Sequence, residues 1–319
     1  MKSRKKISRY ISIMRIDHWV KHAFVIPGLM LSYILSAPKF SNEIIILNVL
    51  IGFSSAFLIA SANYVINEFL DSDSDIHHPE KSKRPGAKGL LNVKFILIQY
   101  SLLSLLGIFL STKINVVFFV GTLLFLLSGL IYNLKPIRSK DVIFLDVISE
   151  SVNNPIRLIL GWTMVSMSTP PLSLLLTYWA IGAFLMSAKR LSELKQILSK
   201  KGKNAAHLYR KSFQYYTNEN LTISCFVYSL VSIIGLTIFT VKYKSEFILT
   251  LPIFITIFSY YMRLAMNTDS IVQKTENLFK DKKIVFLIIL LGITFAISLF
   301  TDLPWLNEAL KKSFIVINK

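Results

Sequence analysis

One cysteine, Cys225, is too few for an intrachain disulfide, so nothing about this chain depends on an oxidising compartment. Charge is scarce as well, at 17% of 319 residues, and acidic charge most of all: 18 Asp and Glu stand against 36 Lys and Arg, a formal net charge of +18. With 12 Gly and 10 Pro there is no collagen-like or low-complexity tract. What the chain has in abundance is apolar residues, 53% of the total, with a mean hydropathy of +0.54. That balance fits a polytopic membrane protein better than a soluble domain. The positive charge is of the size that nucleic-acid binders carry, but the Lys and Arg sit in short stretches between apolar runs of membrane-spanning length. The partner this implies is the lipid bilayer, with no nucleic acid.

Windows of about 20 residues predict an all-α bundle of nine spans, near 23–38, 44–66, 93–111, 115–132, 142–163, 171–188, 221–241, 247–265 and 284–301. Pro27 interrupts the first, and the fifth is too polar for a helix that faces only lipid. Basic residues crowd alternate connections: Lys2 to Lys21, Lys81 to Lys88, Lys135 to Lys140, Lys189 to Lys211 and Arg263 to Lys283. By the positive-inside rule the N-terminus is expected in the cytoplasm and the C-terminus outside. The basic start lacks a signal-peptide cleavage pattern, and the first apolar run reads as a retained span. One integral-membrane domain over residues 1–319, with a basic segment at 1–22, is the expected organisation.

At the cytoplasmic end of the second span Asn63, Asn67, Asp71 and Asp75 recur every four residues, with Glu68 beside them. That interval stacks them on one helical face. Acidic groups at a membrane boundary need a cation, a basic partner or a water-filled cavity. A calcium loop is excluded, since the sixth and twelfth loop positions are Ile76 and Ser82. Helical spacing of Asn67, Asp71 and Asp75 suits Mg²⁺, which takes a few carboxylates and completes its shell with water and phosphate oxygens. A solvated acidic helix end is the bland alternative. His77 and His78 suit a loop better than an Mg²⁺ site, which prefers oxygen.

Three further constellations are expected on the same side. Tyr132 is followed by Lys135 and Arg138, two candidates for gripping phosphate in a loop begun by Pro136; a topology signal suffices for Lys140. In the fifth span Asp146, Glu150, Asn153, Asn154 and Arg157 fall at three- and four-residue steps, a polar stripe that lines a cavity or ties helices together. Lys189, Arg190 and Glu193 close the sixth span, where cations also complement the helix dipole, ahead of a basic segment with Tyr209, Arg210, Tyr215 and Tyr216. Four polar groups on one membrane face point to one cytoplasm-facing site.

These motifs resemble the UbiA superfamily of intramembrane transferases, whose signature N-D-x-x-D-x-x-x-D is matched by Asn67-Glu68-x-x-Asp71-x-x-x-Asp75, with Glu in place of the first Asp. The resemblance extends over most of the chain. Three further stretches are similar to the polyprenyl-phosphate phosphoribosyltransferase branch: Asp17-His18-Trp19-Val20-Lys21-His22, His78-Pro79-x-Lys81-x-x-Arg84-Pro85 and Ala188-Lys189-Arg190-Leu191-Ser192-Glu193-Leu194. Where superfamily prenyltransferases carry a second Asp-rich motif, this chain has Lys189-Arg190-x-x-Glu193, which favours a different donor.

The resemblance implies transfer of 5-phosphoribosyl from phosphoribosyl pyrophosphate to a polyprenyl phosphate. Asn67, Asp71, Asp75 and Glu68 are then the expected Mg²⁺ ligands, and Asp71, Asp75, Lys189 and Arg190 the expected catalytic groups. Lys21, Lys81, Arg84, Tyr132, Lys135, Arg138 and Glu193 are expected to bind substrate. Asp146, Glu150, Asn153, Asn154 and Arg157 are expected to line the chamber, carboxylates toward ribose hydroxyls and Arg157 toward phosphate. A UbiA-type prenyltransferase using a prenyl diphosphate is the nearest alternative. A secondary transporter is a second, but the motifs cluster on one face instead of at the midplane. The membrane expected is a bacterial inner or plasma membrane.

Overall fold

The computed structural model describes residues 8–36, 40–268, 270–273, 278 and 280–310; the side chains of Val20 and Lys21 lie outside that description, and with them the substrate role expected of Lys21. No strand occurs among the described residues. The helices of six residues or more are α1 (Ile26–Leu35), α2 (Asn42–Leu70), α3 (Val93–Ser111), α4 (Val116–Asn133), α5 (Leu145–Ser151), α6 (Asn153–Thr163), α7 (Leu172–Tyr209), α8 (Asn218–Tyr243), α9 (Leu251–Ala265), α10 (Lys282–Phe300) and α11 (Pro304–Ala309), with 3₁₀ segments between several of them.

Their starts follow from local chemistry. Asn92 accepts from Lys94 N at 3.0 Å, Asn115 from Phe118 N at 2.9 Å, and Thr217 and Asn220 form a reciprocal cap on α8. Asp281 opens α10 by accepting from Ile284 N at 3.0 Å. Pro27, Pro252 and Pro304 stand in first turns, where a missing N–H costs nothing.

Among the described residues seven helices are long and apolar enough to cross a membrane: α2, α3, α4, α7, α8, a stretch Ser245–Ala265 that includes α9, and α10. The protein is an integral membrane protein. Large apolar side chains face outward along these helices, Leu102 and Leu105 on α3 at 63% and 66% exposure and Phe286 on α10 at 63%, as a lipid-facing surface requires.

Two of the nine expected spans are shorter than the sequence suggested. The first is a 3₁₀ segment, Ile16–Val25, running into the ten-residue α1. The fifth is broken into α5 and α6 at Val152. Pro155 explains the break: it cannot donate to the carbonyl of Ser151, so it tolerates only the first turn of a new helix. Conversely, the sixth span continues far past residue 188. α7 runs 38 residues with a kink at Gly202, whose φ of 79° is a conformation that side chains beyond glycine rarely adopt.

Packing draws the pieces together. Ala56, Ile59, Phe118, Phe125, Ile156 and Leu160 join α2, α4 and α6 in one apolar cluster, and Phe184, Ala188, Cys225, Phe258 and Tyr261 join α7, α8 and α9 in another. α1 lies close against α6, where a Cβ on Gly161 would stand 2.0 Å from the Val25 carbonyl oxygen, so only glycine permits the approach. Between these clusters a polar cavity remains.

Candidate active site

The cavity has a volume of about 900 Å³. Eleven Lys or Arg and eight Asp or Glu line it, an excess of positive charge that suits an anionic ligand. One wall is the end of α2 and the turns after it, where Asn63, Asn67, Asp71, Asp75, His78, Lys81 and Arg84 all face the cavity. The four-residue interval expected from the sequence therefore does place these groups on one face.

Each of these groups is held by a neighbour. Asn67 Nδ2 donates to Asn133 Oδ1 at 2.5 Å, and Lys140 Nζ donates to the same oxygen at 2.7 Å while also bonding Asp71. Arg138 reaches Asp71 at 3.4 Å, and Arg84 pairs with Asp75 at 2.7 Å. Burial pushes the Asp71 carboxyl up, but Lys140, with Arg210 and Arg138 behind it, outweighs burial and holds it below the ordinary carboxylate range. It is an anion at neutral pH. Lys140, for which topology sufficed as an explanation in the sequence, is thus a site residue, 4% exposed.

Glu68 departs from expectation. It is not among the cavity-lining residues; its carboxylate accepts from Arg15 at 2.7 Å and, more weakly, from Gly86 N at 3.4 Å. One position past Asn67, a helix has turned by about 100°, so Glu68 meets the N-terminal segment and is removed from the metal-facing set.

The second wall is built from α4, α5 and α7. Arg190 is 2% exposed, and four of its five N–H donors are taken by protein: Nε meets Asp146 at 3.1 Å, Nη1 meets Glu193 at 2.9 Å, and Nη2 meets Glu150 at 2.9 Å and the Tyr132 hydroxyl at 3.1 Å. Arg190, expected as a catalytic phosphate contact, lines the cavity with one Nη1 N–H unused while its other donors clamp α4, α5 and α7 together. Asp146, expected to line the chamber, is fully buried behind it, accepting also from Arg210 at 3.4 Å, Ser212 at 3.4 Å and Tyr216 at 2.6 Å. The break at Val152 leaves Asp146 and Glu150 on α5 and puts Asn153, Asn154 and Arg157 on α6. Glu150, Asn153, Asn154 and Arg157 do line the cavity, with Tyr132, Lys135, Arg138, Lys189 and Glu193.

The loop after α2 is tied across to α7. Lys81 Nζ pairs with Glu193 at 3.1 Å and bonds the Tyr209 hydroxyl. His78 packs edge-on to Tyr209, with ring centroids 4.8 Å apart, and its Nδ1 accepts from the Glu80 and Lys81 amides at 3.1 and 3.2 Å. With Nδ1 an acceptor, the proton sits on Nε2, which is buried and has no hydrogen-bond partner among the described residues. Burial, reinforced by Lys81, pushes the imidazole down to about 3, so it stays neutral. His78, Arg210 and Arg15 are site residues that sequence reasoning did not assign; their partners are remote, so no local spacing marks them.

Asn67, Asp71 and Asp75 offer the oxygen donors that suit one hard divalent cation: an amide and two carboxylates from consecutive turns, lining the same space. Among the described residues no group of three or more His, Cys, Asp or Glu is placed to hold a metal by itself. Substrate oxygens and water must complete the shell, which is how Mg²⁺ is commonly bound at phosphate sites.

The sequence profile of the UbiA prenyltransferase family matches residues 24–287. The chain belongs to the UbiA prenyltransferase family. Members of the UbiA family are transferases. A UbiA homolog from Archaeoglobus fulgidus bound to DMAPP and Mg²⁺ superposes with a TM-score of 0.69 at 17% identity, covering 94% of this chain and 99% of that one. A digeranylgeranylglyceryl phosphate synthase structure gives a TM-score of 0.58 at 15% identity, covering 93% and 96%. At these identities the likeness carries the UbiA fold alone. In sequence, the chain is 25% identical over 234 residues to "Nodulation protein NoeC" of Azorhizobium caulinodans, 72% of this chain and 71% of that protein.

Proposed function

We propose that this UbiA-family transferase moves 5-phosphoribosyl from phosphoribosyl pyrophosphate to a polyprenyl phosphate, releasing diphosphate, with Mg²⁺ held by Asn67, Asp71 and Asp75. The observation that carries this reading is the asymmetry of the cavity. On the α7 wall Asp146, Glu150 and Glu193 all converge on the one buried guanidinium of Arg190, with Lys189 beside them, whereas past the end of α2 Asp71 and Asp75 each line the cavity among separate cations, Lys140 and Arg138 for the first and Arg84 for the second. A donor whose diphosphate needs one metal and several fixed cations fits that wall better than one that needs a second acidic motif.

Lys140, Arg138, Lys81 and Arg84 ring the α2 carboxylates and supply the fixed positive charge against which a diphosphate leaves. His78 Nε2–H adds a neutral donor. Asn67, Asp71 and Asp75 would hold a divalent cation there, which would supply charge neutralisation for the leaving diphosphate. In the reaction a lipid phosphate oxygen forms a bond to C1 of the ribose as the bond from C1 to the diphosphate oxygen breaks, inverting that carbon. The attacking oxygen is already anionic, so no residue has to remove a proton from it. The active site faces the cytoplasm in this reading, following the basic connections.

A second reading, prenyl transfer from a prenyl diphosphate, is favoured by the apolar part of the lining, Phe24, Leu185 and Met186, and by the DMAPP- and GPP-bound homologs of the same fold. The test is mass spectrometry of the purified protein in nanodiscs with Mg²⁺ and polyprenyl phosphate. Phosphoribosyl pyrophosphate should yield a polyprenyl-phosphate phosphoribose. No such product, together with turnover of a prenyl diphosphate, overturns the donor.

A further inference from the structure

Deep in the cavity one cation has no ion pair among the described residues. Arg157, on α6, is 8% exposed and lines the cavity, yet among the described residues no carboxylate lies within ion-pair distance of it. Of its five N–H donors, one meets an acceptor, the Asn153 carbonyl one turn back at a long 3.4 Å, and Nε is buried with none. Its guanidinium lies over the Phe125 ring, 4.9 Å from the centroid. Asn153 offers it nothing more: its side chain accepts from Ser128 at 2.6 Å and donates to Glu150 O at 3.0 Å.

Asn63 is at the same level, because its Nδ2 donates to the Phe125 carbonyl at 2.9 Å. That bond fixes which end of the amide is oxygen, and Oδ1 is buried with no partner. Arg157, over the Phe125 ring, and Asn63, on the Phe125 carbonyl and packed against Gly129, thus meet at one residue of α4, and among the described residues the first has no ion pair and the oxygen of the second has no hydrogen-bond donor. Asn63 precedes Asp71 by eight residues on α2, a separation of about 12 Å along the axis, so this pair stands well away from the carboxylates at the mouth.

We propose that Arg157 and Asn63 bind the phosphorylated-sugar end of the donor, the guanidinium taking a phosphate monoester and the amide oxygen accepting from a sugar hydroxyl, while the diphosphate lies at the α2 mouth. This rests on the phosphoribosyl reading above and adds the residues that select for it. A ligand for this floor must bring both an anion and a hydroxyl donor. A prenyl diphosphate pointing its chain inward brings neither and leaves Arg157 buried and unpaired, which disfavours it. A lipid phosphate brings the anion but no hydroxyl.

Calorimetric titration of the full chain in nanodiscs tests this with three probes: ribose 5-phosphate, inorganic diphosphate with Mg²⁺, and a short polyprenyl phosphate. Arg157→Met should weaken ribose 5-phosphate by about 10- to 100-fold and leave the diphosphate within about twofold. Arg157→Lys, which keeps the charge without the planar fork, should fall between. Removing an unpaired buried charge should not lower the unfolding midpoint, whereas loss of a structural arginine should. Equal weakening of ribose 5-phosphate and diphosphate, or a lowered midpoint in both variants, overturns the proposal. So does unchanged ribose 5-phosphate binding, including the case in which polyprenyl phosphate weakens instead. If the parent protein binds prenyl diphosphate but no ribose 5-phosphate, the phosphoribosyl reading itself fails; if the parent binds ribose 5-phosphate and Arg157→Met binds it equally, only this inference does.

Discussion

Arg190 donates to Glu150 at 2.9 Å across forty residues of sequence and, through its other nitrogens, to Asp146 and Glu193, so that one guanidinium joins α5 to α7 beside the cavity. Planarity is what allows it: a forked cation satisfies three carboxylates in fixed directions, and an ammonium does not. Arg190→Lys should therefore leave buried carboxylates short of partners and destabilise the fold by about 3 kcal/mol or more. The unfolding midpoint in detergent measures it, and a midpoint equal to the parent's would contradict the clamp.

Asp71→Asn and Asp75→Asn should each abolish transfer while the protein stays folded and in the membrane, because each removes a carboxylate facing the cavity. Near-normal turnover in both would end the metal assignment. Membrane fractionation and the mass-spectrometric assay together decide it.

Glu68 gives the opposite expectation from its neighbour Asn67. Glu68→Gln breaks the pair with Arg15, in which the carboxylate is 2% exposed, and should cost about 3 kcal/mol of stability with little change in Mg²⁺ dependence. A Mg²⁺ titration of activity that shifts strongly to higher concentration would return Glu68 to the metal.

Chelation separates metal from fixed charge. With EDTA present, transfer should stop, yet inorganic diphosphate should still bind, more weakly, because Lys140, Arg138, Arg84 and Lys81 remain. Complete loss of diphosphate binding would show that the cations serve the carboxylates alone.

Much of this was legible in the sequence where the information is local. Asn67, Asp71 and Asp75 line one cavity because the four-residue step outlasts α2, the Asp71 amide bonding the Asn67 carbonyl at 2.9 Å and the Asp75 amide the Asp71 carbonyl at 2.8 Å, and apolar runs mark helices long enough to span. What escaped depended on remote partners. The pairs of Glu68 with Arg15 and of Lys81 with Glu193 join residues 53 and 112 apart, and nothing nearby announces either. Lys140 and Arg210 were masked by the topology signal that any cytoplasmic cation sends. The stripe from Asp146 to Arg157 assumed an unbroken helix, although Pro155 stands within it; with the break, Asp146 belongs to the clamp and Arg157 to the floor.

That break has a consequence for the bilayer. Val152 keeps helical φ and ψ, but Pro155 has no N–H to give the Ser151 carbonyl, and a carbonyl freed in this way needs protein or water beside it. The cavity next to it is then an inlet of aqueous phase that reaches into the protein as far as Arg157. In the proposed reaction a polyprenyl phosphate whose tail stays among its neighbours in the leaflet would turn only its headgroup sideways into that inlet, so the most water-averse substrate would never have to be lifted out of the membrane to react.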